Sequence, residues 1–343
     1  MTSLAPVPVS TGPSRQARLP RLGFLGAGPV GRHRLASLAT SGTAVISIIA
    51  DPNRDAAEAA TRLAPNARIA RHFEELLDAE LDGLVIATPS ALHVDQAIAA
   101  MQRGLAVFCQ KPLARNAAEA RRVVDTARAA DRLFHVDFSY RHLAASNALR
   151  RLVRSGELGH IFAVEAVFHN ADGASRAWAR DRHLSGAGCL IDLGVHLVDL
   201  AVWLLDAAVV DAVGCRYARG RRLSSGDTEV EDFAAATLTL ESGTTVSLAC
   251  SWNIANGRGC DIRVVLHGTE GAAVLENRDS SFYDFRAERL HHTRTEIRCA
   301  SPDVWGGRAA VAWAFRLATD RRFDPETERF VEVASVLDRV YAS

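Results

Sequence analysis

Leu22-Gly23-Phe24-Leu25-Gly26-Ala27-Gly28-Pro29-Val30-Gly31, running into a helical pattern at 29–40, decides how this chain folds. The first residues form a short β-rich apolar run, and the glycines that follow are spaced G-x-G-x-x-G. Gly26 permits a tight turn, Gly28 lets backbone approach a diphosphate, and Gly31 lets helix and strand pack closely. The helix N-terminus beside them favours negative charge. Asp51 ends the next apolar run about 20 residues beyond Gly31, where a carboxylate can accept hydrogen bonds from ribose hydroxyls. Such a carboxylate repels a 2′-phosphate and favours NAD, although Arg54 lies close enough to pair with that phosphate in NADP.

Outward from this turn the alternation repeats. Residues 44–50 (AVISIIA) precede a helical pattern at 54–64, 81–89 (LDGLVIATP) one at 91–103, and 105–109 (LAVFC) one at 115–130, before 133–138 (LFHVDF). Strands alternating with helices of about 10–15 residues specify parallel βαβ units and a doubly wound sheet. From about residue 160 the period changes to two, in segments at 162–170, 231–240, 244–252, 260–268 and 272–277. Turn signals such as Glu241-Ser242-Gly243 and Gly268-Thr269-Glu270-Gly271 join several of them into an antiparallel sheet. One helix is expected near 189–206 and two more near 308–318 and 326–341. The expected class is α/β: a disordered tail at 1–20, a dinucleotide-binding domain at 21–137, and a second α/β domain at 138–343 with a large open, mainly antiparallel sheet. The C-terminal helices are expected to return to the first domain.

Composition excludes several functions. Forty basic against 40 acidic residues leave no positive field for nucleic acid or an anionic membrane. Apolar runs stay far short of the ~20 residues of a membrane span, and the first 21 residues lack the apolar core of a secretory signal. Six scattered cysteines with no CxxC pair suit reduced thiols in a cytoplasm. The 40 basic residues comprise 39 Arg and one Lys, Lys111. Lysine is the compact cation whose pKa moves readily, which suits proton chemistry.

Lys111 directly follows the run at 105–109, at the carboxyl edge where open α/β sheets bind ligands. Pro112 pins the backbone there, and the Lys111-Pro112 bond is a candidate for the cis isomer. Thr88 and Pro89 lie on the same edge, with His93 either touching a cofactor or packing in a helix's first turn. The second constellation is Asp192, His196 and Asp199, spaced to share one side of an apolar helix. Charges there need work or partners. Reversible proton transfer is one reading, an internal hydrogen bond another, and a metal site the least favoured, because no Cys or second His stands at a matching spacing.

Together these motifs resemble the Gfo/Idh/MocA family from about residue 20 to the C-terminus. The resemblance rests on the glycines at 26–31, the Thr88-Pro89…His93 run, Lys111-Pro112, the glycine-rich lead into Asp192-x-x-x-His196, the turn at 268–271 and the terminal helices. It implies a Rossmann domain carrying NAD(P) and a C-terminal domain that covers the substrate and builds a homodimer or homotetramer through its sheet. It implies that Lys111 hydrogen-bonds the reacting hydroxyl, that His196 is the general acid/base, and that Asp192 orients substrate or His196. The cofactor contacts implied are Gly26, Ala27, Gly28, Pro29, Val30, Gly31, Asp51, Arg54, Thr88, Pro89, His93, Gln110, Lys111 and Arg141, with no metal. Gln110 is a departure, since the family has Glu before Lys-Pro, and a neutral amide offers Lys111 no compensating charge.

Tyr140, Arg141, His169, Asn170, Trp178, Arg180, Asp181 and Trp252 are candidate substrate contacts beside Lys111, Asp192 and His196. Aromatics with polar groups suit a polyhydroxylated ring. The expected activity interconverts a secondary hydroxyl and a ketone on a sugar, aminosugar, glycoside or cyclitol, with NAD favoured and NADP the alternative. Competing readings are a catalytically silent sensor of the same fold and a reductase of a non-sugar.

Overall fold

The computed structural model describes residues 18–174, 177–300, 302–303 and 305–343. Residues 1–17 of the expected tail lie outside the described residues. Residues 18–20 are tied to the sheet: Arg18 pairs with Asp82 at 3.3 Å, and the Pro20 carbonyl accepts the Val45 N–H at 2.9 Å.

The first region runs β1 (Arg21–Leu25), α1 (Pro29–Ser41), β2 (Val45–Ala50), α2 (Arg54–Thr61), β3 (Arg68–Ala70), α3 (Glu74–Leu77), β4 (Gly83–Ile86), α4 (Ser90–Gln102), β5 (Ala106–Cys109), α5 (Ala117–Ala130) and β6 (Phe134–Val136). Its strands are parallel, in the order β3-β2-β1-β4-β5-β6 among the described residues. Strands β4 and β5 are buried at every position, as the unbroken apolar runs require. Asn53 and Asn116 start α2 and α5 by accepting the N–H groups of Ala56 and Glu119. Strand β3 and helix α3, of 3 and 4 residues, are too short to show a period. Strand order reverses between β1 and β4, which opens a crevice at the carboxyl ends of the sheet.

The second region starts with a 3₁₀ turn at Ser139–His142 and α6 (Ala144–Arg154), a helix absent from the sequence expectation although its apolar residues recur at helical spacing. It continues through β7 (Ile161–Asn170), α7 (Arg182–Ser185), a π-turn at Leu190–Gly194, α8 (Val195–Leu205), β8 (Val209–Ala218), β9 (Arg221–Leu223), β10 (Phe233–Leu240) and β11 (Thr245–Trp252). Then come β12 (Cys260–Gly268), β13 (Gly271–Asn277), β14 (Phe285–His291), β15 (Arg294–Cys299), α9 (Arg308–Thr319) and α10 (Glu328–Ala342). The strands form a second sheet, β15-β14-β13-β12-β7-β11-β10-β8-β9. It is antiparallel except at β7 and β11, which run parallel from Ala163↔Thr245 to Asn170↔Trp252.

Helices α6, α8 and α10 cover one face of this sheet. Glu165, Ser247, Thr237 and Val213 lie side by side on the other, where Val213 is 51% exposed. Helix α9 reaches back to α1, placing Trp313 against Phe108 of the parallel sheet with ring centroids 5.6 Å apart, and α10 packs on α5. The stretch Arg182–Leu205 is long and apolar enough to cross a membrane, but 89% of its most apolar window is buried within the protein. Its hydrophobicity is that of a core helix.

Candidate active site

The β1–α1 turn is shaped by contacts that admit no side chain. Gly26 has φ +96°, and a Cβ there would lie 2.6 Å from the Ala87 carbonyl; one on Gly31 would lie 2.2 Å from Gly26 O. A Cβ on Gly28 would meet nothing within 4 Å. The fold therefore needs two of the glycines, while the third faces open space. Helix α1 begins at Pro29 without a side-chain cap, so its first-turn N–H groups are left for an anion. Asp51 is fixed beside this turn by the N–H groups of Ala27 at 2.6 Å and Asn53 at 2.8 Å. Arg54 points along α2 instead, in an exposed pair with Glu58 at 2.8 Å. These residues fit a dinucleotide: an open glycine at a helix N-terminus, with a carboxylate one strand away.

From this turn a cavity of about 250 Å³ extends between the two regions, bounded by Val30, Thr88, Gln110, Lys111 and Pro112 on one side. Tyr140, Trp178, Asp192, His196, Trp252, Phe282, Tyr283 and Trp305 close the other. Lys111 Nζ donates to Asp192 Oδ1 and to the Asp192 carbonyl, both at 2.7 Å. Asp192 Oδ2 accepts from Trp252 Nε1 at 3.2 Å. The π-turn that carries Asp192 flows directly into α8, which places His196 on the same wall. The Lys111-Pro112 bond is cis.

His196 is buried in an aromatic box, with the Tyr140 ring 4.8 Å away and those of Phe138 and Phe168 close by. Burial, and then the charges of Lys111 and Arg34, hold its pKa well below the usual range. Its imidazole is thereby held in the neutral form. Nδ1 is enclosed without a hydrogen-bond partner among the described residues, so Nε2 is the atom through which His196 can exchange a proton with the cavity.

Three residues at the cavity base escaped the sequence reading. Asp137, just after β6, accepts from Arg34 Nε at 2.5 Å, Gln110 Nε2 at 2.5 Å and Ser139 Oγ at 2.6 Å. Burial alone would raise the Asp137 pKa, but Arg34 and these hydrogen bonds outweigh it and hold the carboxyl below its usual range. The carboxyl-edge rule that selected Lys111 after β5 also points to Asp137 and Ser139 after β6. Nothing distinguished Arg34 among 39 arginines.

Other candidates stand elsewhere. Arg141, expected at the cofactor, is buried with Asp199 in a two-point ion pair with contacts of 2.9 and 2.5 Å. Asp199, one turn beyond His196 within α8, is turned to Arg141 and away from the Asp192–His196 wall. His93 is fully buried, its ring nitrogens 2.9 and 2.8 Å from the carbonyls of Pro112 and Thr88. It braces the ligand edge from behind. Thr88 lines the cavity and donates to Gln96, while Pro89 starts α4. His169 contacts Ser251 at 2.8 Å, Asn170 accepts from the Asp172 N–H, and Asp181 caps α7. Arg180 lines a neighbouring cleft on the far side of Trp252. No group of three or more His, Cys, Asp or Glu side chains stands close enough to hold a metal among the described residues.

Residues 20–138 match the profile of an oxidoreductase family with an NAD-binding Rossmann fold, and residues 146–274 match the GFO/IDH/MocA C-terminal domain. The chain belongs to the GFO/IDH/MocA family. It is similar to levoglucosan dehydrogenase of Pseudarthrobacter phenanthrenivorans, 28% identical over 300 residues, 78% of this chain and 77% of that protein. It is similar also to inositol 2-dehydrogenase of Acidothermus cellulolyticus, 28% identical over 327 residues, 88% of this chain and 90% of the relative. The crystal structure of a levoglucosan dehydrogenase with NADH and L-sorbose superposes with TM-score 0.79 and 23% identity, covering 94% of this chain and 96% of that one. This GFO/IDH/MocA protein is accordingly an NAD(P)-dependent oxidoreductase of a sugar and cyclitol family.

Proposed function

We propose that this enzyme interconverts a secondary hydroxyl and a ketone on an uncharged polyhydroxylated ring: a sugar, aminosugar in its neutral form, glycoside or cyclitol. The observation that carries this reading is the convergence of Lys111 and His196 on one aromatic-walled cavity that begins at the open glycine turn. Three of the protein's five tryptophans, Trp178, Trp252 and Trp305, line it. Flat rings stack on the apolar faces of a sugar while polar groups pair its hydroxyls. The charged groups on the walls are matched, Lys111 with Asp192 and Arg34 with Asp137. A neutral ligand leaves those pairs undisturbed.

When bound, the nicotinamide accepts or delivers the hydride. His196 Nε2 removes the hydroxyl proton, and its neutral resting state suits that role. Lys111 spends two donors on Asp192 and directs its remaining positive charge at the oxygen where negative charge develops. Asp192, held by Trp252, keeps the ammonium in place. Asp51 beside the turn and Arg54 turned toward Glu58 support NAD over NADP. The uncovered face around Val213 supports self-association through the second sheet, which light scattering would detect.

Titration with NADH and NADPH, then a scan of sugars, aminosugars and inositols for change in nicotinamide absorbance, tests the reading. Turnover with NAD that disappears in Lys111→Ala is the expected result. Tight cofactor binding with no turnover on any polyol would defeat it.

A further inference from the structure

The residue before Lys111 is matched to a buried acid. Asp137 is 1% exposed, and Arg34, Gln110 and Ser139 from three other positions in the fold all donate to it. A carboxylate accepts and cannot donate, so Gln110 must present its NH₂ group to Asp137 and turn Oε1 away from it. Gln110 lines the cavity, and Oε1 has no protein partner among the described residues. The Gln110 main chain is fixed as well, its N–H donating to Ile86 O at 2.9 Å. The residue is therefore held at its main chain and at its NH₂ group, which leaves one side-chain acceptor on a residue that lines the cavity.

A glutamate at position 110 would meet Asp137 carboxylate to carboxylate at the 2.5 Å separation now filled by a hydrogen bond. Two such groups in a water-poor site cannot both ionise. An acid at 137 thus requires a neutral donor at 110, and the compensating charge near Lys111 comes from Asp192 instead.

We infer that Asp137 is a positioning residue that acts through Gln110, holding Gln110 Oε1 as a fixed acceptor for a donor on the nicotinamide half of the bound dinucleotide. The assignment rests on the dehydrogenase reading proposed above. The nicotinamide half is indicated by place: Asp51 after β2 marks the ribose of the adenosine half, whereas Gln110 lies across the strand-order reversal, beside the Lys111 ammonium that must meet the reacting carbon's oxygen.

The test compares the wild type with Gln110→Glu, Gln110→Leu and the double variant Gln110→Glu/Asp137→Asn. Affinities for NADH and for ADP, which lacks both the nicotinamide and its ribose, are measured from pH 6 to 8, with thermal melts as a check on folding. Gln110→Glu is expected to weaken NADH by at least ~30-fold at pH 8 and by less at pH 6, where the second carboxyl takes up a proton. Adding Asp137→Asn should recover at least ~10-fold of that loss, because it removes one of the two facing carboxylates and leaves the other, at position 110, within reach of the Arg34 guanidinium and the new amide. ADP affinity should change less than ~3-fold throughout. Gln110→Leu should lose NADH affinity with no such pH reversal, and it decides the matter alone if Asp137→Asn does not fold. Normal NADH binding by Gln110→Leu, a double variant that folds without rescue, or parallel losses of ADP affinity would each overturn the inference while leaving the dehydrogenase reading intact. A wild type that binds neither dinucleotide overturns both.

Discussion

The Lys111 ammonium is shared between the carboxylate and the main-chain carbonyl of Asp192, 2.7 Å from each, across 81 positions of sequence. One residue comes from the edge of the parallel sheet and the other from the π-turn before α8. The contact therefore joins the two regions at the place where a ligand between them must react.

Lys111→Met should keep the apolar stem while removing the charge. Losing one preorganised donor to a developing oxyanion costs about 10²–10³ in rate, so kcat should fall by that factor while NADH affinity holds. Fluorescence titration and steady-state kinetics on the same sample would show the split. Equal loss of binding and turnover would mean that Lys111 serves the cofactor and not the chemistry.

The glycines of the first turn should separate by what each would meet. A Gly28→Ala methyl has no protein neighbour within 4 Å, whereas a Gly31→Ala methyl collides with Gly26 O at 2.2 Å. Gly28→Ala should melt like wild type yet bind dinucleotide poorly. Gly31→Ala should lose stability by roughly 1–3 kcal/mol, the usual cost of overpacking. Chemical denaturation would expose a reversed order.

Asp199→Asn should act on stability through Arg141. That pair is buried on both sides, with side-chain exposures of 9% and 1%. Removing one charge from a buried pair leaves the other uncompensated and costs about 3–5 kcal/mol. Should urea unfolding show a loss below about 1 kcal/mol, the pair would be less enclosed than its geometry requires.

Acid should weaken the fold through its buried histidines. Burial, then the charges of Arg141 and His142, push His135 down to about 3; burial, then Lys111 and Arg34, depress His196. An unfolded histidine titrates near 6.5. Below that pH the unfolded chain binds protons that the folded chain refuses, so stability is full above about pH 7 and declines as pH falls. Each group adds a slope of ~1.4 kcal/mol per pH unit. Denaturation midpoints between about pH 5 and 7.5 would test this, and His135→Phe should flatten the decline by one proton's worth.

Much of the architecture was legible because each layer has its own period. The parallel strands read as unbroken apolar runs since both their faces are covered, and the second sheet alternates since one of its faces is open. Strand β3 escaped because it is only 3 residues long, whereas α6 carries a clear apolar stripe through Ala145, Ala148, Leu149 and Leu152 and was legible in the sequence. At the site, Gly28 and Lys111 were legible as candidates because strand order brings the carboxyl ends of β1, β4 and β5 to one edge, and Asp192 and His196 because polar residues stand out on an apolar helix. Arg141 and Asp199 were misplaced because they pair with each other across 58 positions, and nothing local in the sequence announces that partner.

What the sequence by itself determined is local or periodic: the glycine turn that starts α1, the alternation that builds two sheets, and the presence of one lysine at a ligand-facing edge. What only the tertiary structure decided is which charges face each other. Arg34 and Asp137 are 103 positions apart, Gln110 and Asp137 27, Lys111 and Asp192 81, and Arg141 and Asp199 58. A buried charge must find an opposite charge or a hydrogen bond, but the requirement does not name the partner. The partner is chosen where two surfaces close on each other and exclude water, and that is a property of the assembled fold.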